Sequence, residues 1–135
     1  MSFQWLQMRI GEEQDRRNRE AEVLARLPRA FDELEASLAG CVEAFAAQFG
    51  SESTRLHRDG LKLAVTGDGG TVEVNPLLEL PGIEIRRNQS AREIKVGMLP
   101  GDRVFYLDVT ADQYLSMDEL TRLILDRVLF PKLQE

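Results

Sequence analysis

Between Leu24 and Phe49 the apolar positions fall three and four apart: Leu24, Leu27, Phe31, Leu34, Leu38, Cys41 or Val42, Phe45 and Phe49. At 3.6 residues per turn that spacing collects them into one helical stripe, which must be buried against something. Ahead of it, residues 12–22 are almost wholly charged or polar. Glu12/Arg16, Glu13/Arg17 and Asp15/Arg19 stand at i,i+4 with the acid first, the favourable order for a solvated helix. Pro28 interrupts this run, and a proline inside a helix costs about 3 kcal/mol. The pattern therefore predicts a break near Leu27 and a second helix from Pro28 to Phe49. Before the charged run lies a short apolar cluster, Phe3, Trp5, Leu6, Met8 and Ile10. It fits either a strand or a helical turn, and the first expectation for Trp5 is docking on its own domain, ahead of a self-association or partner contact.

From Thr54 onward the period changes to two. Asp59-Gly60 reads as a two-residue hairpin turn that pairs Leu56 with Leu63, and Gly67-Asp68-Gly69-Gly70 as a turn that pairs Val65 with Val72 and Leu63 with Val74. A loop at Asn88–Ala91 opposes Ile85 to Ile94 and Ile83 to Val96. On the other face it sets the charge pairs Glu84/Lys95 and Arg86/Glu93. A Pro100-Gly101 turn then places Phe105 against Val96 and Leu107 against Ile94. Ser116-Met117-Asp118-Glu119 is a capping box that starts a last helix, with Leu120, Leu123, Ile124 and Val128 on one face and Pro131 at its end.

These elements define an α+β two-layer sandwich: a six-stranded antiparallel meander with N-terminal and C-terminal helices packed on one face. The inner face is read as Leu56, Leu63, Val65, Val72, Val74, Ile83, Ile85, Ile94, Val96, Phe105, Leu107 and Val109. Residues 28–135 form the domain, and residues 1–27 an apolar cluster and charged helix available for association. The element order, with Gly60-Leu61-Lys62-Leu63 and Val72-Glu73-Val74-Asn75, resembles frataxin-type domains from about Pro28 onward. That resemblance implies a divalent-metal or iron-handling role along the acidic surface of the helices.

Composition narrows the function classes. The chain has 135 residues, 43% hydrophobic and 30% charged, which suits one domain with a core. Residues 1–50 hold nine acids and six bases, and the remainder fourteen and eleven, so both parts are at -3 and together give the net -6. The Arg16-Arg17-Asn18-Arg19 run is flanked by acids, so no basic surface for nucleic acid is expected. No apolar run is long enough to span a membrane, the first ten residues lack the apolar core of a signal peptide, and the single cysteine forms no internal disulfide; a cytoplasmic location is the expectation.

Candidate chemistry is sparse. His57, the sole histidine, sits among Arg55, Arg58 and Lys62, which resembles no metal shell. Cys41 reads as a small core residue, and the glycine run is followed by a strand, whereas a phosphate loop leads into a helix. No cofactor, metal or catalytic set is predicted. An enzyme would have to use His57 or Tyr106 as acid or base between helix and sheet. The stronger reading is a partner-binding domain, an adaptor or chaperone-like binder that associates with itself or another protein through Phe3, Trp5, Leu6 and Met8. Val104 and Tyr106, placed on the open sheet face, serve as further anchors.

Overall fold

Helix α1 (Gln4–Phe49) runs without a break through Pro28. In the computed structural model, which describes residues 3–134, the apolar cluster, the charged run and the long stripe are one rod, about 70 Å long at 1.5 Å per residue. The expected break at Leu27 does not occur. Pro28 lies on the exposed side, while Val23 and Leu27 before it and Ala30, Phe31 and Leu34 after it are buried on the sheet. Burial on both sides of the proline outweighs the hydrogen bond it removes. One helix thus carries the N-terminal segment into the domain, apart from Met1 and Ser2, which lie outside the described residues.

Seven strands follow: β1 (Arg55–Asp59), β2 (Lys62–Gly67), β3 (Gly70–Leu77), β4 (Gly82–Arg87), β5 (Ser90–Leu99), β6 (Arg103–Asp108) and β7 (Gln113–Leu115). They form one antiparallel sheet in chain order, then α2 (Met117–Leu129) and a short 3-10 turn at Pro131–Leu133. The architecture is the expected α+β sandwich with one more strand than the sequence suggested. β7 is only three residues, set beside β6 by a turn that holds Asp112 at φ 51°. Helix α1 packs against β1, β5 and α2, and α2 against β2, β3 and β7.

The strand registers show how loop length decides which face a residue joins. β2 and β3 pair as expected, Leu63 with Val74 and Val65 with Val72. Two hairpins are each displaced by two residues. Leu56 opposes Val65 because the turn is Gly60-Leu61, and Ile83 opposes Ile94 because Asn88, at φ 56°, closes a tight turn with Gln89. A shift of two keeps every side chain on its face. It does remove the anticipated charge pairs: Glu84 faces Glu93, and Arg86 faces Ala91.

The β5–β6 hairpin is displaced by one residue, so β6 is inverted. Pro100, Gly101 and Asp102 form a three-residue loop, with Gly101 at φ 82° and Asp102 at φ 62°, and Leu99 pairs with Arg103. Tyr106 therefore opposes Val96 and Asp108 opposes Ile94, all toward the helices, whereas Phe105 and Leu107 point to the open face. Gly97 opposite Phe105 explains the choice: a Cβ on Gly97 would fall inside the Phe105 ring, which covers that glycine instead. Val109, also expected inside, lies past the strand and is exposed.

Inversion places a carboxylate under the helices. Asp108 is 2% exposed and accepts hydrogen bonds from Arg92 Nε at 2.8 Å and from the Thr110 and Ala111 amides at 3.2 and 3.3 Å. Burial raises its pKa, but the Arg92 guanidinium and the two amides outweigh that and hold the pKa below the ordinary Asp value. A depressed folded-state pKa stabilises the fold fully above the unfolded value of about 3.9 and is lost as pH falls through the folded value. Asp108→Asn is accordingly expected to cost about 2 kcal/mol at pH 7. In urea melts at pH 7, 5 and 3, the gap to the parent should narrow only below about pH 4.

Candidate functional site

The first turns of α1 project as a bare helical arm. Phe3 is 55% exposed, Trp5 69%, Leu6 40%, Met8 67% and Ile10 47%. The first α1 residue in the core is Val23, and Arg16, Arg19 and Glu20 stand in a cleft beside Leu80, Pro81 and Leu99 at the end of the sheet, so about three turns ahead of Arg16 are bare. Phe3, Leu6 and Ile10 share one flank by their i, i+3, i+7 spacing, and Trp5 and Met8 share another. Along the shaft, Arg16 bridges Glu13 and reaches Glu20 at 2.6 Å, which stabilises a solvated helix but buries nothing. Phe3, Trp5, Leu6 and Met8 thus fall together on one helix tip, and the first reading of Trp5, docking on its own domain, is overturned by its 69% exposure.

Val104 and Tyr106 are elsewhere. Both face the helices, not the open side, because β6 is inverted. Tyr106 is 6% exposed and lies about 30 Å along α1 from the arm, in a cleft of roughly 580 Å³ with Arg26, Arg29, Glu33 and Asp102. Arg26 pairs with Asp102 at 2.8 Å, and Arg29 approaches Glu33 at 3.6 Å. The phenol oxygen has no hydrogen-bond partner among the described residues. Burial, then the negative charge of Glu33, pushes its pKa up to about 12, far from the near-neutral values that suit proton transfer at pH 7. His57 is exposed on β1, on the side away from the helices, and makes no side-chain hydrogen bond to a described residue.

At the far end of α1 a groove of about 480 Å³ opens between the last turns of that helix and α2. Phe45, Leu125, Leu129 and Phe130 make its floor, with Cys41, Ala44, Gln48 and Phe49 on one wall and Thr121 and Arg122 on the other. Phe130 meets Phe45 edge-on with ring centroids 5.3 Å apart, and Phe49 leans on Phe45 at 4.8 Å. The two helices are pinned above it by Ser37 and Thr121, whose hydroxyl oxygens are 2.8 Å apart. Cys41 is exposed here and Val42 is the buried member of the pair, contrary to the core position read for the cysteine. The stripe drifts around the rod, so Cys41 emerges where α2 leaves the helix uncovered.

The open sheet face carries an aromatic pair, of which sequence reasoning put Phe105 inside and gave Tyr114 no place. Phe105 and Tyr114 meet edge-on at 5.4 Å beside Leu107, and Tyr114 is 66% exposed. The pairing of Gly97 with a following aromatic was the available signal, since a strand glycine leaves room for a ring across the ladder.

Three of the acids on the helix surface are already engaged within the fold. Asp32 and Glu35 accept from Arg58 at 2.7 and 2.9 Å, which ties β1 to α1, and Glu119 is occupied in the capping box with Ser116. Among the described residues no group of three or more His, Cys, Asp or Glu side chains is placed to hold a metal ion. No helix among them is long and apolar enough to cross a membrane. The chain matches no protein-family profile, no curated protein and no solved structure.

Proposed function

We propose that this chain is a non-enzymatic protein-interaction domain, of adaptor or chaperone-like kind, that associates with itself through the helical arm. The observation that carries the reading is the continuity of α1 through Pro28, which projects Trp5 and Met8 into solvent at more than 65% exposure. A two-turn tip with apolar side chains on two flanks gains nothing from its own domain. Large exposed apolar clusters of this kind mark contact surfaces, and Trp is the residue type most enriched among their anchors. The rest of the arm, charged and laced with ion pairs, keeps the tip at a distance from the sheet.

The sole Trp provides a direct test. Light scattering on the full chain should report a dimer, and Trp5 emission should shift to the blue as concentration rises. Deleting residues 1–10 should give a monomer with the same thermal midpoint as the parent diluted to its monomeric range. A full-length chain that stays monomeric at high micromolar concentration, with Trp5 emission unchanged, would overturn the reading.

A further inference from the structure

We infer that the cleft between α1, the β5–β6 loop and the start of α2 binds a small organic carboxylate with an apolar body. The Tyr106 hydroxyl and the arginines of α1 would hold its carboxylate. Tyr106 is 6% exposed, and its hydroxyl is buried with no hydrogen-bond partner among the described residues. An unpaired buried hydroxyl costs free energy that phenylalanine would not cost at the same place, so packing alone gives no reason for a tyrosine. Glu33 lines the cleft and its charge acts on the phenol, which sets the hydroxyl end of the ring toward that space.

The charges suit an anion. Arg26, Arg29, Ala30 and Glu33 share one side of α1 by their three-four spacing. With Arg103, the cleft has three arginines against two acids, Glu33 and Asp102, a balance of +1 in a chain of net -6. By contrast, the groove between α1 and α2 has Asp118 and Asp126 against Arg122. Asp102 holds Arg26 at 2.8 Å through one nitrogen, which ties the loop to α1 and leaves the other donors of that guanidinium. Arg29 stands 3.6 Å from Glu33, beyond hydrogen-bond reach, and Arg103 reaches only the Pro100 carbonyl, at 3.5 Å, among the described residues. Guanidinium donors left in this way bind carboxylates through paired N–H···O bonds.

Size and lining describe the rest of the ligand. A cleft of roughly 580 Å³ falls within the range of small-molecule sites. Val104, Leu115 and Met117 give it a half-buried apolar wall, which a short alkyl chain or an aromatic ring would cover and a bare inorganic anion would not.

Hexanoate and phenylacetate are the probes, titrated at pH 7 into the isotope-labelled full-length chain and followed by amide chemical shifts. Both should give saturable shifts at Asp102, Val104, Tyr106 and Met117 with a Kd of about 1 mM. Hexylammonium should give none, and inorganic phosphate should bind more weakly than either acid. Tyr106→Phe should weaken hexanoate about tenfold while raising the thermal midpoint of the free chain, since the hydroxyl serves the ligand and not the fold. Arg29→Gln should weaken it by a similar factor with the midpoint held. Trp5→Ala should bind hexanoate as the parent does, so this site and the arm stand or fall separately. The assignment is overturned by the absence of saturable shifts with both acids, by hexylammonium binding as well as hexanoate, or by Tyr106→Phe binding as tightly as the parent. A lower midpoint for Tyr106→Phe would overturn it too, because the fold itself would then be using the hydroxyl.

Discussion

Phe31→Ala is expected to lower the unfolding free energy by about 4 kcal/mol. Phe31 is 1% exposed and is the largest of the fully buried side chains, on the α1 stripe that roofs the sheet. Its removal takes away the transfer free energy of an aromatic ring and leaves a cavity between helix and strands that the neighbours fill only in part. A domain of this size has about 5–15 kcal/mol in all, so the loss is a large share of it. Trp5→Ala makes the contrast: at 69% exposure it should change monomer unfolding by less than about 0.5 kcal/mol while removing self-association. Urea melts of both variants, run in the concentration range where the parent is monomeric, measure the two effects apart. A Phe31→Ala cost under about 1 kcal/mol would contradict the seating of α1 described above.

Gly69→Ala should be nearly as damaging, at about 3 kcal/mol, for a different reason. The β2–β3 turn runs beneath the end of α2, where the Gly69 amide donates to the Val128 carbonyl at 2.9 Å. A Cβ at Gly69 would land on the Arg127 carbonyl oxygen, a backbone atom that cannot rotate aside. Either the turn or the last turn of α2 has to shift, and the hydrogen bond goes with it. Gly40→Ala is the matched control. Gly40 sits inside α1 with nothing near its would-be Cβ, so there alanine should stabilise by roughly 0.5–1 kcal/mol through helix propensity. Thermal melts of the two variants should move in opposite directions.

Periodicity and turn chemistry were enough for much of the fold. The three-four spacing of α1, the Ser116 capping box and the alternation of Leu63, Val65, Val72 and Val74 are local signals, and the structure has each of them where the residues place it. The apolar cluster at Phe3, Trp5, Leu6 and Met8 was legible as a cluster, but its docking on the domain, the first expectation, was not met, because the helix runs on through Pro28 and carries it into solvent. Three features were not local. Pro28 carries a local penalty, and only burial of Leu27 and Phe31 on either side shows why the helix continues through it. Strand β6 alternates well in either orientation, so its face was settled by a three-residue loop and by the Phe105 ring resting on Gly97 across the ladder. That single-residue displacement sent Tyr106 and Asp108 beneath the helices and brought Phe105 and Leu107 out. The groove likewise exists only where α1 and α2 diverge, and Cys41, on the rim of the stripe, is exposed because α2 does not reach it. Sequence by itself determined most of the helix and strand segments and the apolar character of residues 3–10, since those follow from neighbours along the chain; it left residues 3–10 open between strand and helix and did not reveal β7. Tertiary structure decided which face each borderline residue joined, because that depends on loop parity and on contacts between residues far apart in the chain.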